Sequence, residues 1–264
     1  MNGTDSVTGR FAQKRAIVTG ASDKGIGGAI AESLATEGAE LLLLSLAEPA
    51  RLMKLIARRG GIAHWKHCDV TDPSAIQSCI GPMLEESELD ILINSAGVEA
   101  AGPVESLGDA DWHEILDVNL RGVIEMTRRC VVRMASGGVI VNISSALAFA
   151  GCAGFSIYSA SKGGLNSFTQ SLSWELAPRK IRVVGVAPGM VYTPMIHKHI
   201  AELNPQVREQ IERAHPLGVG TPQDVADVVS FLASRAARWV TGVTIPVGWS
   251  PHYALPSAPF FDEG

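Results

Sequence analysis

The sequence predicts a doubly wound α/β fold, one seven-stranded parallel sheet with helices on both faces. Three observations lead there. Seven short apolar runs recur along the 264 residues. Stretches with apolar residues at threes and fours separate them. A glycine cluster ends the first run just where the first helix must start. Runs that are apolar throughout suit strands buried on both faces, as in a parallel sheet. Strands alternating with helices are built from β–α–β units.

The strand candidates are 14–20, 39–45, 62–67, 89–94, 138–144, 181–188 and 242–247. After the first, Ile30, Leu34 and Ala35 form a helical stripe. Asp72-Pro73 and Thr221-Pro222 each read as an N-cap followed by proline at the first helical position. Ile157, Leu165, Phe168, Leu172 and Leu176 give a further apolar face. Right-handed crossovers then align the strand carboxyl ends along one edge, where such sheets bind ligands. No linker or repeat divides the chain, so 1–264 reads as one domain. Its exceptions are a ragged start (1–12), a lid over the substrate (189–220) and a proline-rich tail (249–264).

Composition excludes several classes. Hydrophobic residues make up 46% of the chain, too many for a disordered one. The net charge is −5, with no basic stripe for nucleic acid. The longest aliphatic run, Leu41 to Leu44, is far too short to cross a membrane. The first 13 residues hold no apolar signal segment. Cys68, Cys79, Cys130 and Cys152 form no CxxC pair and read as reduced thiols. The expectation is a cytoplasmic protein. No metal is expected: the histidines form no HExxH, and His197 and His199 diverge on a helix.

Gly20-Ala21-Ser22-Asp23-Lys24-Gly25-Ile26-Gly27 lies at the first strand-to-helix turn. Glycine permits the tight turn and close approach to a pyrophosphate. The helix N-terminus then offers free N–H groups to the anion. This is the Rossmann arrangement for a dinucleotide.

Further motifs follow in order: Asn94-Ser95-Ala96-Gly97, Asn119, Ser145, Tyr158-Ser159-Ala160-Ser161-Lys162 and Pro188-Gly189. Together with the glycine loop they resemble the short-chain dehydrogenase/reductase family over about 12–248. The loop departs from the family pattern by one extra residue between Gly20 and Gly25. Ser95 replaces an asparagine. The last strand ends Val247-Gly248-Trp249-Ser250, where the family often has an acidic residue and glycines.

The resemblance implies a catalytic set of Asn119, Ser145, Tyr158 and Lys162. It places Gly20, Ser22, Lys24, Gly25, Ile26, Gly27, Ser45, Asp69, Val70, Asn94, Ala96 and Gly97 around the cofactor. Tyr158, Lys162, Pro188, Gly189, Val191 and Thr193 complete that set. Asp69 would sit near the adenine amine, though a turn role suits its type equally. Asn119 would hold a water linking Lys162 to solvent. A homotetramer is implied, with a dimer as the fallback, through two long helices over about 112–134 and 155–178 and through the last strand.

Residue chemistry supports the catalytic set. Tyr158 and Lys162 are four apart on a helix and share a face. A free tyrosine titrates near 10, and a nearby ammonium is expected to lower that value. Tyr158 then exchanges a proton with an alcohol or carbonyl oxygen, which Ser145 orients. Leu147, Phe149, Phe155, Tyr158, Met190, Met195 and Trp249 suggest a neutral or largely apolar ketone or secondary alcohol; a helix stripe against the core explains many of them equally well.

The end of the second strand is Ser45 rather than the carboxylate that pairs with the NAD ribose. Its hydroxyl, with Lys24, is expected to favour the 2′-phosphate of NADP; Glu48 swinging back would favour NAD. Two other readings remain, a catalytically silent dinucleotide-binding regulator and a related epimerase or dehydratase.

Overall fold

The structure, a computed structural model, describes residues 9–193 and 205–249. Its sheet has seven parallel strands: β1 (Arg15–Thr19), β2 (Glu40–Ser45), β3 (Ile62–His67), β4 (Leu89–Asn94), β5 (Met134–Ile143), β6 (Arg182–Pro188) and β7 (Thr244–Val247). Their spatial order is β3-β2-β1-β4-β5-β6-β7. The order reverses between β1 and β4, which opens a crevice at their carboxyl ends.

Strand alternation sends side chains to two cores. Val18, Leu43, Ile93, Val141 and Val186 pack with α1 (Ile26–Thr36) on one face. Ile17, Leu44, Leu92 and Ile140 pack on the other, against α3 (Pro73–Glu86) and the helices that follow. The central strands therefore read as uninterrupted apolar runs. β3 is an edge strand and alternates between exposed and half-buried residues.

Helix starts follow their caps. The Asp72 carboxylate accepts the Ser74 N–H at 2.7 Å. Thr221 and Asp224 form a reciprocal capping box at the start of the helix Pro222–Ala233. α2 spans Ala50–Arg58. The first long helix is interrupted. α4 (Asp109–Leu116) runs into a π turn over Asp117–Arg121, then α5 (Gly122–Cys130). The second is α6, Ser156–Leu176. After β6, α7 (Pro205–Ala214) lies in the segment expected to form a lid, and α8 (Pro222–Ala233) follows. β5 begins at Met134, earlier than expected, with a register shift against β4 between Leu89 and Ile91. No described helix is long and apolar enough to cross a membrane.

Candidate active site

Gly20 turns out of β1 with φ +68°, a conformation that favours glycine. The extra residue is absorbed by two contacts. The Gly25 N–H donates to Ser22 Oγ at 3.1 Å, and Asp23 Oδ1 accepts the Leu52 N–H of α2 at 2.9 Å. Gly25 is the N-cap of α1 and no side chain caps that end. The first-turn amides from Ile26 onward are therefore available to an anion. Gly28, overlooked in the sequence, is as constrained as the others: a Cβ there would overlap the Ser22 carbonyl oxygen. Its signal was the doubled glycine at 27–28. This uncapped, side-chain-free cradle fits a dinucleotide diphosphate.

Thr19 ties the two strands beside the crevice. Its Oγ1 accepts the Ser95 N–H at 3.0 Å and the Ala96 N–H at 3.1 Å. Asn94 turns inward instead. Its Nδ2 donates to Asn142 Oδ1 at 2.8 Å and Thr127 Oγ1 at 3.1 Å, and Asn142 continues to Thr169.

The catalytic candidates converge at the carboxyl edge of β5. Ser145 caps the short turn Ala146–Ala148, its Oγ accepting the Leu147 N–H at 3.2 Å. That leaves its proton free to point elsewhere, and the Ser145 hydroxyl favours the phenolate of Tyr158. Lys162 is buried. Its Nζ donates to the Ile143 carbonyl at 3.0 Å and lies 5.7 Å from the Tyr158 ring centre.

Desolvation dominates the titration of both groups. Tyr158 is pushed up to about 12 by burial, helped by the Glu99 carboxylate and opposed by the Ser145 hydrogen bond. Lys162 is pushed down to about 8 by burial, with Glu99 working against the shift. The expected lowering of Tyr158 by its lysine neighbour is thus corrected: the cost of burying a phenolate outweighs it. Glu99 was also missed in the sequence, where only its place two residues after Gly97 hinted at it.

Asn119 is buried in the π turn, which the Gly122 N–H closes on the Asp117 carbonyl. Its Oδ1 accepts the Val98 N–H at 2.9 Å, and its Nδ2 donates to the Val98 carbonyl at 2.8 Å and Ser161 Oγ at 3.2 Å. The side chain thereby holds the strand-four loop against α6. A Cβ on Gly97 would meet Asn119 Oδ1 at 3.2 Å and Lys162 Nζ at 3.4 Å.

On the adenosine side, Ser45 differs from expectation. Its hydroxyl donates to the Ala47 carbonyl at 2.8 Å and accepts the Trp65 indole N–H at 3.0 Å. It is therefore engaged in the fold and has no proton left for a phosphate. Asp69 forms an Asx turn, its Oδ1 accepting both the backbone N–H and the hydroxyl of Thr71 at 2.8 Å. Val70 is buried beside it. Lys24 is exposed and has no ion pair among the described residues.

Pro188 ends β6, Gly189 and Val191 follow it, and Thr193 closes that described segment. Val191 bridges to Gly220. Phe155 meets Tyr158 edge-on at 6.3 Å, and Phe149 packs on Trp249 at 5.9 Å. Leu147 is half-buried next to Ser145. Met195 lies outside the described residues, as do His197 and His199. Among the described residues no group of His, Cys, Asp or Glu could hold a metal ion.

Comparison with known proteins identifies this geometry. Residues 20–248 match the profile of the family described as Enoyl-(Acyl carrier protein) reductase. The chain is 36% identical over 243 residues to a cis-4-hydroxycyclohexanecarboxylate dehydrogenase from Sinomonas cyclohexanicum, covering 90% of this chain and 96% of that one. It is 38% identical over 241 residues to a 3-oxoacyl-(acyl-carrier-protein) reductase of Aquifex aeolicus, covering 89% and 95%. It superposes with a TM-score of 0.82 on an angucycline C-6 ketoreductase with bound NADP, at 32% identity over 90% of this chain and 95% of that one. The chain belongs to the short-chain dehydrogenase/reductase family. It is an oxidoreductase that acts on CH–OH groups with a nicotinamide cofactor.

Proposed function

We propose that the protein interconverts a neutral, largely apolar ketone and its secondary alcohol, using NADP(H), with Tyr158 as the general acid/base. The observation that carries this reading is the grouping of Ser145, Tyr158 and Lys162 at the sheet edge, next to the uncapped α1. The cofactor supplies or takes the hydride. In reduction, the Tyr158 hydroxyl gives its proton to the carbonyl oxygen. In oxidation, the phenolate takes it back. Ser145 donates to the same oxygen and orients it. Lys162 supplies positive charge beside the ring, and Asn119 fixes the loop that faces it.

Phe149, Phe155, Leu147 and Trp249 support an apolar substrate. Glu99 disfavours an anion close to Tyr158. For the cofactor, Lys24 replaces Ser45 as the principal recognition group, since the Asp23 carboxylate is engaged by α2. The chain, 1–264, acts as one dinucleotide-binding domain, and the buried thiols of Cys68, Cys79 and Cys130 suit a reducing cytoplasm.

The test is Tyr158→Phe. Turnover of a ketone panel should fall by a factor on the order of 10² or more, as when a positioned acid/base is lost. Calorimetric binding of NADPH should survive. Near-normal turnover would sink the assignment. Wild-type binding without any turnover would favour the silent regulator.

A further inference from the structure

His215 follows α7 and is buried, at 4% exposure, yet it belongs to none of the groups described so far. Its ring is held at both nitrogens. Nε2 accepts the Met190 N–H at 2.7 Å, and Nδ1 lies 2.6 Å from the Ile211 carbonyl. An N–H facing Nε2 requires that nitrogen to be unprotonated. A carbonyl facing Nδ1 requires a proton there. The geometry thus fixes the neutral, Nδ1-protonated tautomer.

The bond reaches the loop after β6. Three hydrogen bonds of that loop are made by backbone: the Gly189 N–H to the Val247 carbonyl, the Tyr192 N–H to the Gly220 carbonyl, and the Gly220 N–H to the Met190 carbonyl. The Met190 N–H is met by a side chain from a different element. The neighbouring Ala187 carbonyl is met by another, the Trp249 indole N–H at 2.8 Å. Gly189 lies between the two. A Cβ there would sit 2.5 Å from His215 Nε2 and 3.1 Å from Trp249 Cβ, so the ring packs directly on the backbone. Nothing in the sequence motifs marks His215.

We propose that His215 is a positioning residue that latches α7 to the loop Pro188–Tyr192 and sets the backbone this loop presents to the cofactor. The proposal rests on the reading that this loop lies against the nicotinamide. It predicts an effect on cofactor affinity that a purely structural histidine would not have. Losing the acceptor leaves the Met190 N–H without a partner and lets the loop drift.

Two readouts test it, hydrogen exchange at the Met190 amide and calorimetric titration with NADPH and NADH. His215→Leu should lose the amide's protection and weaken binding of the preferred cofactor by about tenfold, the size of one hydrogen bond. Turnover at saturating cofactor should change little. His215→Gln, which restores a side-chain acceptor, should recover both. If the leucine variant does not fold, His215→Phe, which fills the same space without an acceptor, should give the same two losses. A lowered melting temperature with unchanged affinity, or no recovery in glutamine, overturns the proposal. A wild type that keeps Met190 protected but binds neither cofactor overturns instead the reading of the loop as a cofactor contact.

Discussion

Tyr158 and Lys162 are driven in opposite directions by one cause. Burial penalises the charge on each, so the tyrosine holds its proton and the lysine sheds its own more readily. At neutral pH Tyr158 is therefore a phenol, ready to donate. Reduction should be nearly flat across the neutral range, whereas oxidation should rise with pH as phenolate forms. Parallel pH–rate profiles in both directions check this, and an oxidation rate indifferent to pH would mean that the proton leaves by another route. Glu99→Gln removes a negative charge that raises Tyr158, so the oxidation profile should move to lower pH. A second prediction concerns Lys24. The wild type should prefer NADPH over NADH in kcat/KM, and Lys24→Ala should erode that preference. Preference for NADH, or one untouched by the substitution, would show that the discriminating residue lies elsewhere. These assignments differ in how far the sequence carried them. The grouping of Tyr158, Lys162 and Ser145 was expected because their spacing repeats a family pattern, and the fold brings them to one sheet edge. Ser45 was misjudged because its partners, Trp65 and Ala47, become neighbours only through β3 pairing and the turn after β2. His215 was invisible because its partners, Met190 and Gly189, meet it only through the fold.

Among the elements, those with strong local signals match their sequence reading. Thr221 caps α8 through a two-way exchange with Asp224. Thr221→Ala should destabilise the protein by about 1 kcal/mol, lowering Tm by roughly 2–4 °C for a chain of this size. An unchanged Tm in calorimetry would show that α8 is held by packing alone. At its other end the guanidinium of Arg182 donates to the Leu232 carbonyl at 2.7 Å and reaches those of Ala233 and Ser234. This half-buried cation meets the helix's negative end. Central strands were legible because two-sided burial leaves few polar positions within them. The edge strand β3 was harder, with only one side paired. The break in the long helix was not legible at all. A five-residue π turn shifts the register without changing composition, and Asn119 reaches Val98 from within that turn.

At the scale of the whole molecule, the described surface is not uniformly polar. Trp174 on α6 is 83% exposed and Trp239 is 96% exposed. Val243 adds to the apolar area before β7, and Gly242 packs against Ser173, beside Trp174. Exposed aromatic groups at a sheet edge are costly in a monomer and common at interfaces. A second copy of this chain is their proposed partner. Light scattering at micromolar concentration should give the mass of a homotetramer; a monomeric mass would refute it. Phe168, by contrast, packs partly into the core and contributes less to such a contact.

The same two indoles give the molecule an optical signature. Tryptophan emission depends on the water around the ring. In an isolated protomer Trp174 and Trp239 would emit at long wavelength and be quenched by iodide, whereas Trp249, at 7% exposure, would be shielded. Dilution that separates the protomers should therefore redden the emission and open it to iodide, so that the colour of the light itself reports how many chains are together.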